Sequence, residues 1–327
     1  MPAISIVVPI YNVETYLKRC LESLRVQNFD DYEVLCINDG CTDDSQSIID
    51  EYVTKDHRFL SFTKINGGLS DARNFGLNKS HGEYIMFIDS DDFVEQNMLK
   101  KSYTKIINDD LDMVIFDFNK YSLYNNTKEH ISNDFSENVI YNLKTTPELL
   151  CYVNNAAWNK LYRKSLFTDN CVTYPFGYRH QDLGTTPKLI YLAKRIGFIK
   201  EPLYNYFIDR PNNLTQQYDK KIYHIIDMNK EYLDYYREKH VFDEYYEQLK
   251  YLCIINVLNS LKKTVNYTDK KFVNIFIDDA FSFIHNYFKD YPKCVYNIFT
   301  EKVDHIYLNK NTLKVYLKYR QWKEKKI

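Results

Sequence analysis

The chain has 327 residues, of which 45% are hydrophobic and 27% charged, with a formal net charge of −1. That length suits one large domain or two unequal ones, and the near-neutral balance excludes nucleic acid as a bulk partner, since phosphate binding needs a basic surplus. Seven cysteines are scattered without a CxxC pair, which argues against a disulfide framework or a zinc site and for a reducing compartment.

At the start, Met1-Pro2-Ala3-Ile4 carries no charged-then-apolar leader. Ile4 to Val8 is a nearly continuous apolar run ending at Pro9, as expected of a strand buried on both faces. Leu17, Cys20, Leu21 and Leu24 then recur at helical spacing, with Asn12 as a candidate cap. Cys20 and Cys36 fall on apolar positions and read as small core residues. Glu33 to Ile37 is a second strand, closed by the turn signal Asn38-Asp39-Gly40. A helix starts near Asp43-Asp44, acids at the favourable end of its dipole. Phe59 to Phe62 is a third strand, Asn66-Gly67-Gly68 a loop, Ser70 to Asn78 a helix, and Glu83 to Ile88 a fourth strand. Met113 to Phe118 makes a fifth, 119–145 reads as irregular, and 146–210 mixes helix with short strands such as Pro202 to Ile208. From about 220 the texture is helical, in Ile222 to Lys239 and Phe242 to Lys263. The expectation is an α/β domain over 1–218, with a mostly parallel sheet and helices on both faces, then a helical domain over 219–327.

In such sheets, ligands bind at the carboxyl ends of the strands. Asp89-Ser90-Asp91-Asp92 follows the fourth strand, and carboxylates at alternate positions can share one hard cation. The alternative is an Asp that caps the next helix. Tyr11, after the first strand, could stack on a base or simply pack. Asp39, after the second, could accept an imide N–H or serve its turn. Asn66-Gly67-Gly68 allows close backbone approach to a ligand. Arg73 could fork onto a phosphate or make a helix salt bridge.

In order and spacing, Val8-Pro9-Ile10-Tyr11-Asn12, Ile37-Asn38-Asp39-Gly40-Cys41-Thr42-Asp43-Asp44-Ser45, Asn66-Gly67-Gly68-Leu69-Ser70-Asp71-Ala72-Arg73-Asn74 and Asp89-Ser90-Asp91-Asp92 resemble the serial motifs of family 2 glycosyltransferases. The resemblance is strong over 1–118 and fades by about 215. It implies a GT-A fold, an inverting mechanism and a UDP-sugar donor, with Mn2+ or Mg2+. It further implies that Pro9, Tyr11, Asn12 and Asp39 hold the nucleoside, that Asp89 and Ser90 contact the donor, and that Asp91, with Asp89, holds the metal. Cys41 stands where the family usually has Ser. Ala157-Trp158-Asn159-Lys160 resembles the family's Trp-Asn-Lys segment, which would give Trp158 a sugar-stacking role and Lys160 a diphosphate contact; a core Trp and a surface Lys are the alternative. Tyr178-Arg179-His180-Gln181-Asp182 aligns with a family Glu-Asp pair, so Asp182 takes the place of the base and Gln181 removes a neighbouring charge. His180 is a rival base, with an unperturbed pKa near neutrality. Arg210 resembles a diphosphate-binding arginine.

The implied function is transfer of a hexose (galactose, glucose or N-acetylglucosamine) to a glycan acceptor on lipid or protein, in a bacterial cytoplasm. The rivals are a nucleotidyltransferase, which would want a glycine-rich basic loop where Pro9-Ile10-Tyr11-Asn12 stands, and a non-catalytic carbohydrate-binding or scaffold protein. The helical part could hold acceptor, form a homodimer or touch membrane. Its tail interleaves Lys314, Lys318, Arg320, Lys323, Lys325 and Lys326 with apolar residues, a pattern that fits either an anionic membrane surface or a solvated helix. The 31 tyrosines suit sugar-contacting clefts or reflect compositional bias.

Overall fold

A computed structural model of the chain describes residues 1–122, 124–125, 127–209, 219–291, 310–311 and 313–314. The chain divides into two compact units, Met1–Gly177 with Gln181–Pro211, and Tyr178–His180 with Asn212–Ile327.

The first unit opens with the alternation that the apolar runs predict: β1 (Ile4–Ile10), α1 (Glu14–Arg25), β2 (Tyr32–Asn38), α2 (Ser45–Lys55), β3 (Phe59–Thr63), α3 (Leu69–Lys79) and β4 (Tyr84–Phe87). It continues with β5 (Phe93–Val94), α4 (Met98–Asn108), β6 (Met113–Ser122), β7 (Thr127–Ile131), α5 (Leu149–Tyr152), β8 (Lys160–Arg163), α6 (Ser165–Thr168), α7 (Gln181–Leu192) and β9 (Ile196–Phe207). One sheet runs in the order β3-β2-β1-β4-β8-β6-β9-β5, with β7 paired to β6. The first four strands are parallel to their neighbours, as expected. Beyond them β8 is inserted antiparallel between β4 and β6, and β5 lies antiparallel on β9, so the sheet as a whole is mixed.

Side-chain alternation along β1 divides the core into two layers. Ile4, Ile6, Val8 and Ile10 pack in one cluster with Leu17, Cys20, Leu21 and Leu24 of α1 and with Met98, Leu99 and Ile106 of α4. Val7 points the other way, toward α3, where Gly76 sits so close that a Cβ there would lie 2.3 Å from Val7 Cγ1. On the same side Phe87 meets the rings of Phe167 and Tyr174. Helices therefore cover both faces.

Two local expectations need correction. Asn12 does not cap α1: it adopts a left-handed φ of 49°, and its side chain bonds Thr42, accepting the backbone N–H at 2.8 Å. The N-terminus of α1 is served instead by Asp43, which accepts the Glu14 N–H at 3.0 Å, while Glu14 accepts the Asp44 N–H at 2.7 Å at the start of α2. The two helices thus cap each other with acids, which suits both dipoles. Second, the stretch 119–145 is not wholly irregular, since β6 runs to Ser122 and turns into the exposed strand β7.

The second unit holds α8 (His224–Glu238), α9 (Tyr246–Lys263) and α10 (Lys270–Tyr287). Three of its half-buried tyrosines donate their hydroxyls to acids: Tyr223 to Asp279, Tyr246 to Asp290 and Tyr287 to Asp234, at 2.6–2.7 Å. Within it Arg179 forks onto Asp219 at 3.0 and 2.8 Å. Lys314 bonds Asp278 at 2.7 Å, whereas Lys318, Arg320, Lys323, Lys325 and Lys326 lie outside the described residues. Among the described residues no helix is long and apolar enough to cross a membrane.

Candidate active site

The parallel strands bring their carboxyl ends to one edge, Ile10 beside Asn38 and Val7 beside Phe87. Pro9 is buried in β1, and Tyr11 emerges just past it, 48% exposed. Asp39, one residue past β2, is buried at 3% exposure. Its Oδ1 accepts the Gly67 N–H at 2.9 Å and the Lys64 ammonium at 2.6 Å, and its Oδ2 accepts the Gly68 N–H at 2.7 Å. Asn66 returns a bond to the Asp39 carbonyl at 2.9 Å. Asp39 therefore clamps the Asn66-Gly67-Gly68 loop at the site edge. Glycine is needed twice: Gly68 has φ +86°, and a Cβ on Gly67 would lie 2.1 Å from Asp71 Oδ2. Lys64, which the sequence did not single out, also pairs with Asp71. Burial acts to lower the Lys64 pKa, but its bonds to Asp39 and Asp71 hold it above the usual value. If Asp39 holds the nucleoside of a UDP donor, as the motif resemblance implies, Asp39→Ala should free this loop and weaken UDP binding about 10–100-fold, the scale of charge-assisted hydrogen bonds. Isothermal calorimetry with UDP reads it, and unchanged affinity would remove Asp39 from the site.

The acidic turn after β4 is held from three directions. From α1, Arg19 donates to the Asp91 carbonyl at 2.9 Å and the Cys20 thiol approaches the Asp89 carbonyl at 3.7 Å. From β9, the Tyr204 hydroxyl accepts the Asp89 N–H and donates to Asp92 Oδ2 at 2.5 Å, while the Phe207 N–H reaches Asp92 Oδ1 at 2.7 Å. Asp92 is fully buried, and burial, with Asp91 and Asp89 nearby, pushes its carboxyl well above the usual range. It is a tie between turn and sheet. From α3, Arg73 donates to Asp89 Oδ1 at 2.6 Å. Ser90 is buried between the two acids, which are each partly exposed.

Arg73 is 2% exposed and its guanidinium lies 5.3 Å from the Tyr174 ring centroid. Its Nε and Nη1 have no hydrogen-bond partner among the described residues. Burial works against its charge, but Asp89, Tyr174 and Asp182 hold its pKa above the free value. The same Asp182 bears on Lys160, Tyr162 and Tyr174. Asp89, after the parallel strand β4, is therefore the ion-pair partner of Arg73, and Asp182, in the first turn of α7, is within electrostatic reach of it. The arginine expected on phosphate is buried as the counter-ion of Asp89.

Two expectations from the Trp-Asn-Lys segment are corrected. Trp158 is 8% exposed, stacked on Tyr204 at 4.3 Å and 15° and edge-on to Phe118 at 4.7 Å, so it is a core ring and offers no sugar platform. Lys160 is fully buried and gives its ammonium to the Asn154 and Ala156 carbonyls and to Asn159 Oδ1, at 2.6–2.7 Å. Three acceptors use all three donors, so nothing remains for a diphosphate. Lys160→Met is expected to cost roughly 2–5 kcal/mol in urea unfolding, from unpaired acceptors and disturbed packing, without changing UDP affinity. Weaker UDP binding at unchanged stability would restore the diphosphate role. Gln181 is 4% exposed. His180 belongs to the second unit, and Arg210 lies outside the described residues.

Among the described residues no three His, Cys, Asp or Glu side chains gather as a metal cage. The donor set at the turn is the pair Asp89 and Asp91. Two carboxylates fit a divalent cation completed by phosphate oxygens and water, the usual mode for ions that accompany nucleotides.

The family model described as Glycosyl transferase family 2 matches residues 5–170. Glycosyltransferase GlyA of Streptococcus pneumoniae is 33% identical over 68% of this chain and 33% of its own length. The putative glycosyltransferase EpsH of Bacillus subtilis is 32% identical over 68% of this chain and 65% of its own. The chain therefore spans a third of one relative and just under two thirds of the other. TarS of Staphylococcus aureus, named a poly(ribitol-phosphate) beta-N-acetylglucosaminyltransferase, is 28% identical over 64% of this chain and 36% of its own. The solved structure of TarS residues 1–349 in complex with UDP-GlcNAc superposes with a TM-score of 0.76, covering 98% of this chain and 90% of that one at 18% identity. A mannosyltransferase, PcManGT from Pyrobaculum calidifontis, in complex with GDP-Man and Mn2+, does so at 0.53, covering 98% and 86% at 13% identity. The fold is thus of the GT-A type. With its clamped glycine loop, its acidic turn and a family match across more than half its length, the chain belongs to glycosyl transferase family 2.

Proposed function

We propose that the chain is an inverting glycosyltransferase moving a hexose from a UDP-sugar to a hydroxyl of a glycan acceptor, with Asp182 as base. The observation that carries this reading is the acidic turn after β4, whose Asp89 accepts from the buried Arg73 at 2.6 Å beside the glycine loop that Asp39 clamps. Asp182, in the first turn of α7, is within electrostatic reach of the same guanidinium, which places an acid on the acceptor side in this reading.

Asp182 takes the proton from the acceptor hydroxyl, whose oxygen attacks the anomeric carbon opposite the leaving diphosphate. An α-linked donor then gives a β-linked product. Tyr11, Asn12 and Pro9 border the base and ribose, and the loop clamped by Asp39 closes that side. Asp91 and Asp89 would hold the Mn2+ or Mg2+, which, when bound, supplies positive charge to the departing phosphates. UDP-GlcNAc is the first donor to test, given the TarS complex, with UDP-glucose and UDP-galactose beside it. The name of TarS makes a polyol-phosphate surface polymer the first acceptor class.

The test is UDP release from these three donors with acceptor present, with Mn2+ and with EDTA. One donor should release UDP far faster with Mn2+ than with EDTA. No release from any of them would favour a carbohydrate-binding or scaffold role, and equal release in EDTA would reject the metal.

A further inference from the structure

Next to Arg73 on α3, Asn74 makes a contact that the proposed chemistry has not used. Its Nδ2 donates to the Tyr174 carbonyl at 2.8 Å, and its Oδ1 accepts the Tyr174 N–H at 2.9 Å. One side-chain amide thus satisfies both backbone groups of a residue a hundred positions away. Only an amide does this, since it offers a donor and an acceptor side by side. The clamped residue is not peripheral. Tyr174 is 1% exposed, its ring lies under the Arg73 guanidinium, and it feels the charge of Asp182. Its neighbour Thr173 accepts the Thr185 hydroxyl of α7 at 3.3 Å, and the same hydroxyl bonds the Gln181 carbonyl at 2.9 Å. A continuous set of bonds therefore runs from Asn74 through Tyr174 and Thr173 to the first turn of α7, where Asp182 sits.

We propose that Asn74 is a positioning residue for Asp182. Consecutive residues of α3 then brace the two sides of the reaction: Arg73 fixes the donor-side Asp89, and Asn74 fixes the extended segment around Tyr174 that seats the base. The separation between donor and base is set by one rigid helix, and not by the long connection between them. This rests on the reading of Asp182 as base.

Asn74→Asp is the sharp variant. It keeps the size and the acceptor for the Tyr174 N–H but turns an oxygen toward the Tyr174 carbonyl. Asn74→Ala removes both bonds without repulsion. Both are measured in the full chain as UDP release from whichever of UDP-GlcNAc, UDP-glucose and UDP-galactose the wild-type protein uses, with UDP affinity by calorimetry. Because misplacement of a reacting group by about 1 Å can cost 10²-fold, kcat should fall about 10–100-fold, more in Asn74→Asp, at unchanged UDP affinity. In an Asp182→Asn background the Asn74→Ala substitution should add less than about threefold, since the group it positions is already disabled. Wild-type kcat in Asn74→Ala, a parallel loss of UDP binding, or full multiplication of the two effects would each overturn the proposal. Full activity of Asp182→Asn alone would instead overturn the base assignment, while the Asn74 effect is still read in the wild-type background.

Discussion

With Asp182 as the proposed base and UDP as the proposed leaving group, Asp182→Asn is expected to lower kcat by about 10²–10⁴-fold and to leave UDP affinity unchanged, the loss that follows when a positioned base can no longer accept a proton. Asn is the same size, and its oxygen can still accept the Leu183 N–H that Asp182 Oδ1 receives at 3.0 Å, so the first turn of α7 is preserved. What changes is charge at a half-buried position within electrostatic reach of Arg73. The proposed UDP contacts lie elsewhere, at the ends of β1 and β2 and in the Asp39-clamped loop. Turnover and binding should therefore separate cleanly. UDP release at saturating donor gives the first, and calorimetry gives the second. A variant with wild-type turnover would move the base elsewhere, with His180 the first alternative to test. Gln181 bears on the same question: it is 4% exposed and uncharged, so Asp182 has no like charge beside it in sequence.

The strands β1, β2 and β4 are legible from sequence because a strand covered on both faces is apolar at every position, and α1 because its apolar residues repeat at helical spacing. Other elements leave no such trace. Strand β8 is Lys160-Leu161-Tyr162-Arg163, too short and too charged to show a period, and β5 has two residues; both exist because neighbouring strands offer unpaired edges. Their antiparallel entry is what makes the sheet mixed. At the candidate site, residue identity does not reveal the contacts. Asp39 meets Lys64, Gly67 and Gly68 only because β3 lies parallel to β2 and ends at the same edge. Asp92 differs from Asp89 and Asp91 because Tyr204 and Phe207, over a hundred residues later, consume both its oxygens. Trp158 and Lys160 show the opposite error. A Trp and a Lys in a family motif suggest ligand contacts, yet the aromatic stack claims one and three local oxygens claim the other.

The second large effect concerns the Asp89–Arg73 pair, where stability and binding should part company. Asp89→Ala removes the carboxylate that accepts from a guanidinium that is 2% exposed, while its Nε and Nη1 already lack partners among the described residues. Breaking a buried pair from one side typically costs 3–5 kcal/mol, because the remaining charge is left uncompensated. Asp89 itself is 24% exposed, so water can reach part of the site and the loss should sit near the lower end, at about 3 kcal/mol. Adding Arg73→Met removes the stranded charge, and buried pairs replaced by apolar residues of similar volume are often no less stable. The double variant should therefore regain most of the lost urea stability. UDP binding should not return with it, because the donor-side carboxylate is still missing. Stability that fails to recover in the double variant would mean that Arg73 holds the fold through its packing on Tyr174, and not as a counter-ion. Recovery of UDP affinity along with stability would mean that Asp89 serves the fold alone, leaving Asp91 as the single acid of the turn to meet the nucleotide.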